Sequence, residues 1–151
     1  MASDIAIRNM TEDDLREVFL LRQSLPVVLP DEGADARAER IVDAYMKHPN
    51  LCYTALRRKR VIGFVMGSVV DADGGKAGMI VMMAADAGGG TARVYGGIFA
   101  RICAAFAGDE IAVIYAGPFG RGDPRRDMYR GLGFDDAEDG IYMKYVMAGG
   151  S

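Results

Sequence analysis

The sequence predicts an α+β domain in which helices cover both faces of a central mixed sheet. Apolar residues alternate with polar ones in some segments and recur at helical spacing in others, which indicates strands and helices that share a core. The first half of the chain contains apolar runs joined by short turns, as in antiparallel hairpins. In the second half a strand, a helix and another strand follow in order, which indicates a right-handed crossover between parallel strands.

The chain is predicted to begin with a short strand and a capped helix. Ile5 and Ile7 alternate with polar residues in the strand. Thr11 and Asp14 form a capping box in which Asp14 replaces the usual glutamate, and apolar residues at helical spacing follow. This helix is expected to end near Ser24, because prolines follow it closely.

A second helix is predicted over residues 36–46, with Asp35 as its N-cap. It should end before Pro49, because the residue that precedes a proline disfavours the helical backbone. Its inward-facing residues are expected to be Ile41, Val42, Tyr45 and Met46.

Three strands are then expected to form two hairpins. They are predicted over 51–56, 61–70 and 78–83, with a basic turn at 57–60 and a glycine-containing turn at 71–75. The last of these strands is apolar on both faces, which is typical of a strand in the middle of a sheet.

The second half of the chain is predicted as helix 91–106, strand 110–115, helix 124–132 and strand 140–147. Gly108 is the expected C-cap of the first of these helices. In sheets of this kind ligands bind beyond the carboxyl ends of the parallel strands, so we expect a site where the crossover helix begins.

Length and composition favour a single domain over 1–147 with a flexible tail at 148–151. The net charge is −3, so a nucleic-acid partner is not expected. No apolar run is long enough to span a bilayer, and the N-terminus lacks the features of a signal peptide. Cys52 and Cys103 lie inside apolar runs and are predicted to be buried thiols in a reducing cytoplasm. With one histidine and no C-x-x-C pair, we expect no metal site.

A glycine run separates strand from helix at the predicted ligand edge. Gly88, Gly89 and Gly90 precede a helix N-terminus, where several backbone N–H groups lack partners and the helix dipole is positive. Such a loop cradles phosphates in some proteins and only turns the chain in others. Asp86 would repel an anion, and neither a Walker motif nor G-x-G-x-x-G is present at this loop. The residues alone leave both interpretations open.

The same segment resembles a loop motif of the GNAT acyltransferase family, V-x-P-x-x-(R/Q)-G-x-G-x-(G/A). The ungapped match is Met82-x-Ala84-x-x-Ala87-Gly88-x-Gly90-x-Ala92. Both loop glycines and the last small residue agree, whereas Ala84 replaces the proline and Ala87 replaces the Arg or Gln. A second register, Arg93-x-x-Gly96, restores the arginine but needs an insertion, so the first register is preferred.

A second segment, Asp127-Met-Tyr-Arg-Gly-Leu-Gly-Phe134, resembles the family motif A-x-x-L-Y-E-K-L-G-F. Tyr129, Leu132, Gly133 and Phe134 fall on matching positions. In the family this tyrosine often protonates the departing thiolate of coenzyme A, which is reasonable chemistry for a phenol. The resemblance therefore implies that Tyr129 is a general acid; a core tyrosine that caps the sheet is the alternative.

The resemblance extends over nearly the whole chain, since Ile5-x-Ile-Arg8 and Val61-Ile-Gly-Phe64-Val65 also match family segments. It implies a GNAT-like N-acetyltransferase that moves an acetyl or other acyl group from acetyl-CoA to a primary amine of a small molecule or peptide. The implied coenzyme A site comprises Met82, Met83, Ala84, Ala87, Gly88, Gly89, Gly90, Thr91 and Ala92. The alternative is a catalytically silent domain that binds acyl-CoA and acts as an interaction module.

Three features are left unassigned by the sequence. The strand before the glycine loop has no acidic residue that could deprotonate the amine. The carboxylates near strand ends are Asp71, Asp73, Glu110 and Asp123. Tyr115 and a water held by the backbone are the alternatives for the base. Gly96 and Gly97 lie inside the predicted helix, either for close packing on the sheet or to make room for the coenzyme. The oligomeric state is not determined, and a homodimer is compatible with the sequence.

Overall fold

In the computed structural model the chain folds around one mixed sheet, and the structure describes residues 5–24, 34–72, 74–86 and 91–147. The predicted tail at 148–151 lies outside these residues. The helices are α1 Leu15–Ser24, α2 Ala34–Lys47, α3 Thr91–Gly108 and α4 Arg125–Gly131. The strands are β1 Ile5–Asn9, β2 Cys52–Arg57, β3 Arg60–Ala72, β4 Gly75–Ala85, β5 Val113–Ala116, β6 Asp135–Asp136 and β7 Met143–Val146.

The strand order β1-β2-β3-β4-β5-β7-β6 confirms the predicted mixed sheet. Neighbouring strands are antiparallel except β4 and β5, which are parallel and are connected through α3. The β2–β3 hairpin turns at Arg58 and Lys59, whose φ angles of 53° and 67° suit a two-residue hairpin loop. The basic run is therefore a turn, as predicted.

Two apolar layers separate the sheet from the helices. Helices α1 and α2 cover one face, whose buried residues include Met10, Val18, Ile41, Phe64 and Met66. Helices α3 and α4 cover the opposite face, whose buried residues include Val94, Ile98, Ile102, Phe106 and Phe134. The sheet is thus covered by helices on both sides, and we call these the α1–α2 face and the α3 face.

Helix α2 differs from the prediction in its start and in its exposed side. It begins at Ala34, so Asp35 lies in the first turn and is not the N-cap. Ile41 is buried as predicted, but Val42 is 46% exposed and Met46 is 64% exposed. At 3.6 residues per turn, neighbours of a residue that points at the sheet are rotated by about 100°, so Val42 turns away once Ile41 faces inward.

The strands differ from the predicted ones mainly in length. The β3–β4 hairpin is longer than expected, and Asp73 at its tip lies outside the described residues. Strands β5 and β7 are shorter, because only four residues of each pair with the other. Strand β6 is absent from the predicted elements, since aspartates such as Asp135 and Asp136 are rare in strands.

Helix α3 ends in a Schellman motif that its sequence does not signal. The N–H of Ile111 donates to Phe106 O at 2.9 Å, and the N–H of Glu110 donates to Ala107 O at 3.0 Å. Glu110 has a φ of 62°. It takes the left-handed conformation that was expected of Gly108, and a residue with a Cβ is strained there.

Replacing Glu110 with glycine is expected to raise the free energy of unfolding by up to about 1 kcal/mol, because glycine adopts a positive φ without this strain. Urea unfolding of the two proteins measures the difference. Asp109→Gly is the matched control. The φ of Asp109 is not positive, so glycine relieves no strain there and the variant should lose stability or stay neutral. Equal or lower stability of the Glu110 variant would contradict the assigned strain.

Glycines allow α3 to approach the sheet closely. A Cβ on Gly78 would lie 2.8 Å from the Phe106 ring, and one on Gly97 would lie 2.7 Å from Ile7 Cδ1. Close packing therefore explains Gly97. The space beside Gly96 is open, so packing does not explain that glycine.

An ion pair between the exposed Arg8 and the buried Asp14 connects β1 to the start of the first helix. The carboxylate of Asp14 accepts hydrogen bonds from Arg8 Nη1 at 2.7 Å, Arg8 Nη2 at 3.0 Å and the Thr11 N–H at 2.9 Å. The predicted capping box is thus confirmed. Burial alone would raise the pKa of Asp14, but the hydrogen bonds from Arg8 and Thr11 outweigh burial, and the pKa is lowered.

Asp14→Asn is expected to lower the free energy of unfolding by about 1–2 kcal/mol at pH 7, because charge-assisted hydrogen bonds are lost. A carboxylate with a lowered folded-state pKa stabilises the protein above its ordinary pKa of about 3.9, and this contribution is lost as pH falls through the folded-state pKa. The difference between wild type and variant should therefore shrink in urea titrations between pH 7 and pH 3. The exposed neighbour Asp13 provides the control Asp13→Asn. A gap as large at pH 3 as at pH 7 would contradict the linkage.

Candidate active site

Strands β4 and β5 separate at the edge where the sequence predicts a site. Their parallel pairing ends at Ile80 and Ala116. Beyond this point β4 continues along β3 as far as Ala85. We call the opening between residues 81–85 and the end of β5 the β4–β5 gap.

A β-bulge marks the place where the two strands part. Met66 pairs with Met82 and Gly67 pairs with Ile80, so Val81 is an extra residue on β4. Such bulges bend a strand and increase its local twist. The bulge therefore directs the end of β4 away from β5.

Beyond the bulge, Met83 and Ala85 present their backbone groups to the gap. In an antiparallel pair, alternate residues direct both N–H and C=O toward the partner strand. Asp86 donates its N–H to Ile62 O of β3 at 2.8 Å. The backbone groups of Ala84 and Met82, two and four positions earlier, therefore also point to β3. Those of Met83 and Ala85 point the other way, toward the side where β5 no longer pairs with β4.

The predicted coenzyme residues fall into three groups. Met82 and Ala84 direct their side chains to the α1–α2 face, and Met83 directs its side chain to the α3 face and its backbone to the gap. The predicted loop residues Ala87, Gly88, Gly89 and Gly90 lie outside the described residues. Thr91 begins α3 and Ala92 is exposed in its first turn. Of the predicted residues on β4, Met83 is the one whose backbone faces the gap.

Tyr129 lies in α4 with its ring between those of Phe119 and Phe134, at centroid distances of 5.2 and 5.1 Å. It is 3% exposed, and its hydroxyl has no hydrogen-bond partner within the described residues. Burial raises the pKa of Tyr129, the nearby Tyr95 phenol raises it further, and Arg125 acts in the opposite direction. The phenol therefore stays protonated at neutral pH.

Part of the second motif has a structural explanation. Gly133 has a φ of 107°, and the Phe134 N–H donates to Tyr129 O at 3.1 Å, which closes a Schellman motif after α4. Phe134 is then buried in the core of the α3 face. The match at Leu132-Gly133-Phe134 thus describes a helix end, and Tyr129 is the member with reactive chemistry.

Arg126 connects the loops around α4. It is 8% exposed. Its guanidinium donates to Phe119 O at 2.7 Å, Gly120 O at 3.1 Å and Gly140 O at 2.6 Å, and it pairs with Asp136 at 3.0 Å. Sequence reasoning missed this residue, because adjacent arginines at the start of a short helix usually indicate a solvated surface.

Two of the candidates for the amine base, Asp71 and Asp123, are held in ion pairs. Asp71 pairs with a lysine across the exposed hairpin at 3.2 Å, and Asp123 pairs with Arg125 at 2.6 Å. Hydrogen bonds from Arg125 lower the pKa of Asp123 against the effect of burial. Glu110 ends α3, and Tyr115 is half-buried on β5. The base stays unassigned.

A cavity of about 170 Å³ lies between α2 and the bulge, on the α1–α2 face. Its lining residues are Arg40, Asp43, Ala44, Lys47, His48, Gly67, Ser68 and Val81. Val81 also follows the last residue of β4 that pairs with β5. The cavity and the β4–β5 gap therefore meet at the bulge.

Other site classes find little support in the part of the chain that the structure describes. Burial raises the pKa of the Cys52 and Cys103 thiols to about 11, so neither is a ready nucleophile at neutral pH. No described helix is long and apolar enough to cross a membrane. Within the same residues, no three His, Cys, Asp or Glu side chains are grouped so as to hold a metal ion.

Comparison with known proteins finds solved structures with the same fold. No family model and no curated protein matches the sequence. Ard1 from Thermoplasma volcanium matches with a TM-score of 0.75 and 16% identity, over 95% of this chain and 98% of that chain. An acetyltransferase of the GNAT family from Staphylococcus aureus Mu50 matches with a TM-score of 0.73 and 12% identity, over 95% and 99%. Naa50 from Arabidopsis thaliana, in complex with the bisubstrate analogue CoA-Ac-MVNAL, matches with a TM-score of 0.63 and 12% identity, over 89% of this chain and 85% of that chain.

The sheet order, the crossover through α3 and the opening between β4 and β5 define an α+β fold with a gap near the centre of its sheet. The chain has the fold of the GNAT acyl-CoA N-acyltransferases. The resemblance noted in its motifs is confirmed at the level of the fold.

Proposed function

We propose that the protein is an acyl-CoA-dependent N-acyltransferase that transfers an acetyl group from acetyl-CoA to a primary amine. The observation that carries the proposal is the free backbone edge at Met83, in the gap where β4 and β5 separate. The pantetheine arm of coenzyme A has amide groups that can pair with such an edge, as an added strand does. The pyrophosphate would then meet the amides of residues 87–92, where α3 begins.

The proposed reaction is a direct transfer. The amine nitrogen attacks the thioester carbonyl, a C–N bond forms, and the C–S bond breaks when the tetrahedral intermediate collapses. The departing thiolate accepts a proton from Tyr129 Oη, which regains it from solvent, and the amine releases its proton to water. Burial keeps Tyr129 protonated at neutral pH, so its phenol carries the proton that the thiolate needs.

The acceptor is proposed to enter through the cavity beside Val81, on the face opposite α3. The cavity volume is about 170 Å³, below the roughly 300 Å³ at which sites begin to enclose drug-sized molecules. It therefore suits a small amine or the end of a peptide. The Naa50 complex, whose analogue joins coenzyme A, an acetyl group and the sequence MVNAL, supports the peptide option.

Calorimetry with acetyl-CoA and a thiol-release assay with a panel of amines test this function together. We expect binding, and release of free thiol that depends on the amine. Binding without release for any amine would favour a silent acyl-CoA-binding interaction module, which the alanines at positions 84 and 87 motivate. Absence of binding would reject both functions, and competition by nucleotides would indicate a site for another phosphate ligand.

A further inference from the structure

Tyr95 binds one of the two β4 residues whose backbone faces the gap. The Ala85 N–H donates to Tyr95 Oη at 3.1 Å. Tyr95 is half-buried in the second turn of α3, and its ring packs against the core of the α3 face. The contact fixes the phenol from two sides, by its ring and by its oxygen. The Ala85 amide is therefore already in use, whereas Met83 directs its amide into the gap.

A ligand that pairs with a strand edge can bind in registers two residues apart, because only alternate residues face it. On this part of β4 the two positions are Met83 and Ala85, and the step between them is about 7 Å. Reacting groups must be placed within about 1 Å for efficient transfer. A thioester that is displaced by one register step would bind but would not react.

We propose that Tyr95 is a positioning residue, which fixes the register of the acyl-CoA arm on β4 by withholding the Ala85 amide and leaving Met83 as the pairing position. The inference rests on the proposed function, because it takes the acyl-CoA arm to lie in the β4–β5 gap. The Tyr95 phenol is also close enough to Tyr129 for the two to interact electrostatically. The register is thus fixed beside the proposed general acid.

Tyr95→Phe keeps the packed ring and frees the Ala85 amide, so acetyl-CoA gains a second, unproductive way to bind. Unproductive binding lowers kcat and KM for acetyl-CoA by the same factor and leaves kcat/KM unchanged. We expect a decrease of about twofold in both constants, because two registers with the same hydrogen bonding would be occupied about equally. A merely structural role would not move the two constants together.

Tyr53→Phe is the matched control for these kinetics. Tyr53 Oη donates to Asn50 O at 3.2 Å, so this change also removes one phenol–backbone hydrogen bond, but on β2. Both constants should be unchanged. If Tyr95→Phe lowered kcat/KM while KM stayed constant, the register role would be overturned and the phenol would act on the chemistry or on the fold.

Amide hydrogen exchange, resolved by NMR, tests the contact itself. Without ligand, the Ala85 amide should exchange slowly in wild type and faster in Tyr95→Phe. With coenzyme A, protection should rise at Met83 in wild type and at both Met83 and Ala85 in the variant. Equal exchange of Ala85 in the two free proteins would overturn the proposal.

The proposed function and the register role fail in different ways. If coenzyme A binds neither protein, both are overturned, although the free-state exchange still reports whether Tyr95 holds the Ala85 amide. If acetyl-CoA binds and is turned over, but the variant shows no joint fall in kcat and KM, only the register role is overturned.

Discussion

Tyr129→Phe is expected to lower kcat for acetyl transfer at least about 100-fold while the affinity for acetyl-CoA changes little. Loss of a positioned acid usually costs a factor of this size or more. Without the phenol, the thiolate would have to take its proton from water, with no positioned donor. Stopped-flow or steady-state thiol release measures kcat, and calorimetry measures binding.

The same change should leave stability unaltered or raise it by up to about 1 kcal/mol, because the Tyr129 hydroxyl is buried without a partner in the described structure. Loss of activity without loss of stability separates a chemical role from a packing role. Tyr145→Phe is the control, since Tyr145 belongs to the same aromatic cluster, with its ring 5.4 Å from Phe134. Unchanged turnover by Tyr129→Phe would remove this residue from the mechanism and favour the core-tyrosine interpretation.

Arg126→Ala is expected to lower the free energy of unfolding by at least about 2 kcal/mol, because a hydrogen bond that involves a charged group contributes about 1.5–3 kcal/mol. Three backbone carbonyls would lose their donor at the same time, and Asp136 would lose its buried partner. Urea unfolding at neutral pH measures the loss. Arg126→Lys should recover little of it, because one ammonium cannot reach the carbonyls that a planar guanidinium bridges.

Arg130→Ala provides a matched control on the same helix. Arg130 also pairs with Asp136, at 3.2 Å, but its side chain is 47% exposed. Exposed ion pairs contribute only about 0–1 kcal/mol, so its removal should have a small effect. Similar losses for the two variants would show that the carbonyl contacts of Arg126 add no stability.

The fold could be predicted wherever a local signal marks an element. Thr11 and Asp14 signal a helix start through a capping box, and the positive-φ turn at Arg58 and Lys59 falls in the basic run between two apolar segments. Elements whose limits depend on a partner could not be predicted as well. Strands β5 and β7 end where their mutual pairing ends, and no residue type in either strand encodes that limit.

The candidate site could be proposed from the sequence in part for the same reason. Motif spacing singles out Tyr129, since the helix end that follows it has a recognisable sequence. Tyr95 looks like one more apolar residue of a helical stripe, because its contact with the Ala85 amide depends on how β4 leaves β5. Arg126 binds backbone carbonyls, and because every residue type has a carbonyl, the sequence gives no sign of these contacts.

The extra residue at Val81 gives β4 two halves of opposite phase. Before the bulge, Gly78 and Ile80 face the α3 side, so even-numbered residues point that way; after it, the odd-numbered Met83 and Ala85 do. The position of a residue in a motif therefore predicts which face of the sheet it points to only on one side of the bulge. Any chain aligned to this one by residue count across β4 will therefore assign inner and outer positions correctly on one side of the bulge and exchange them on the other, unless it carries the same insertion.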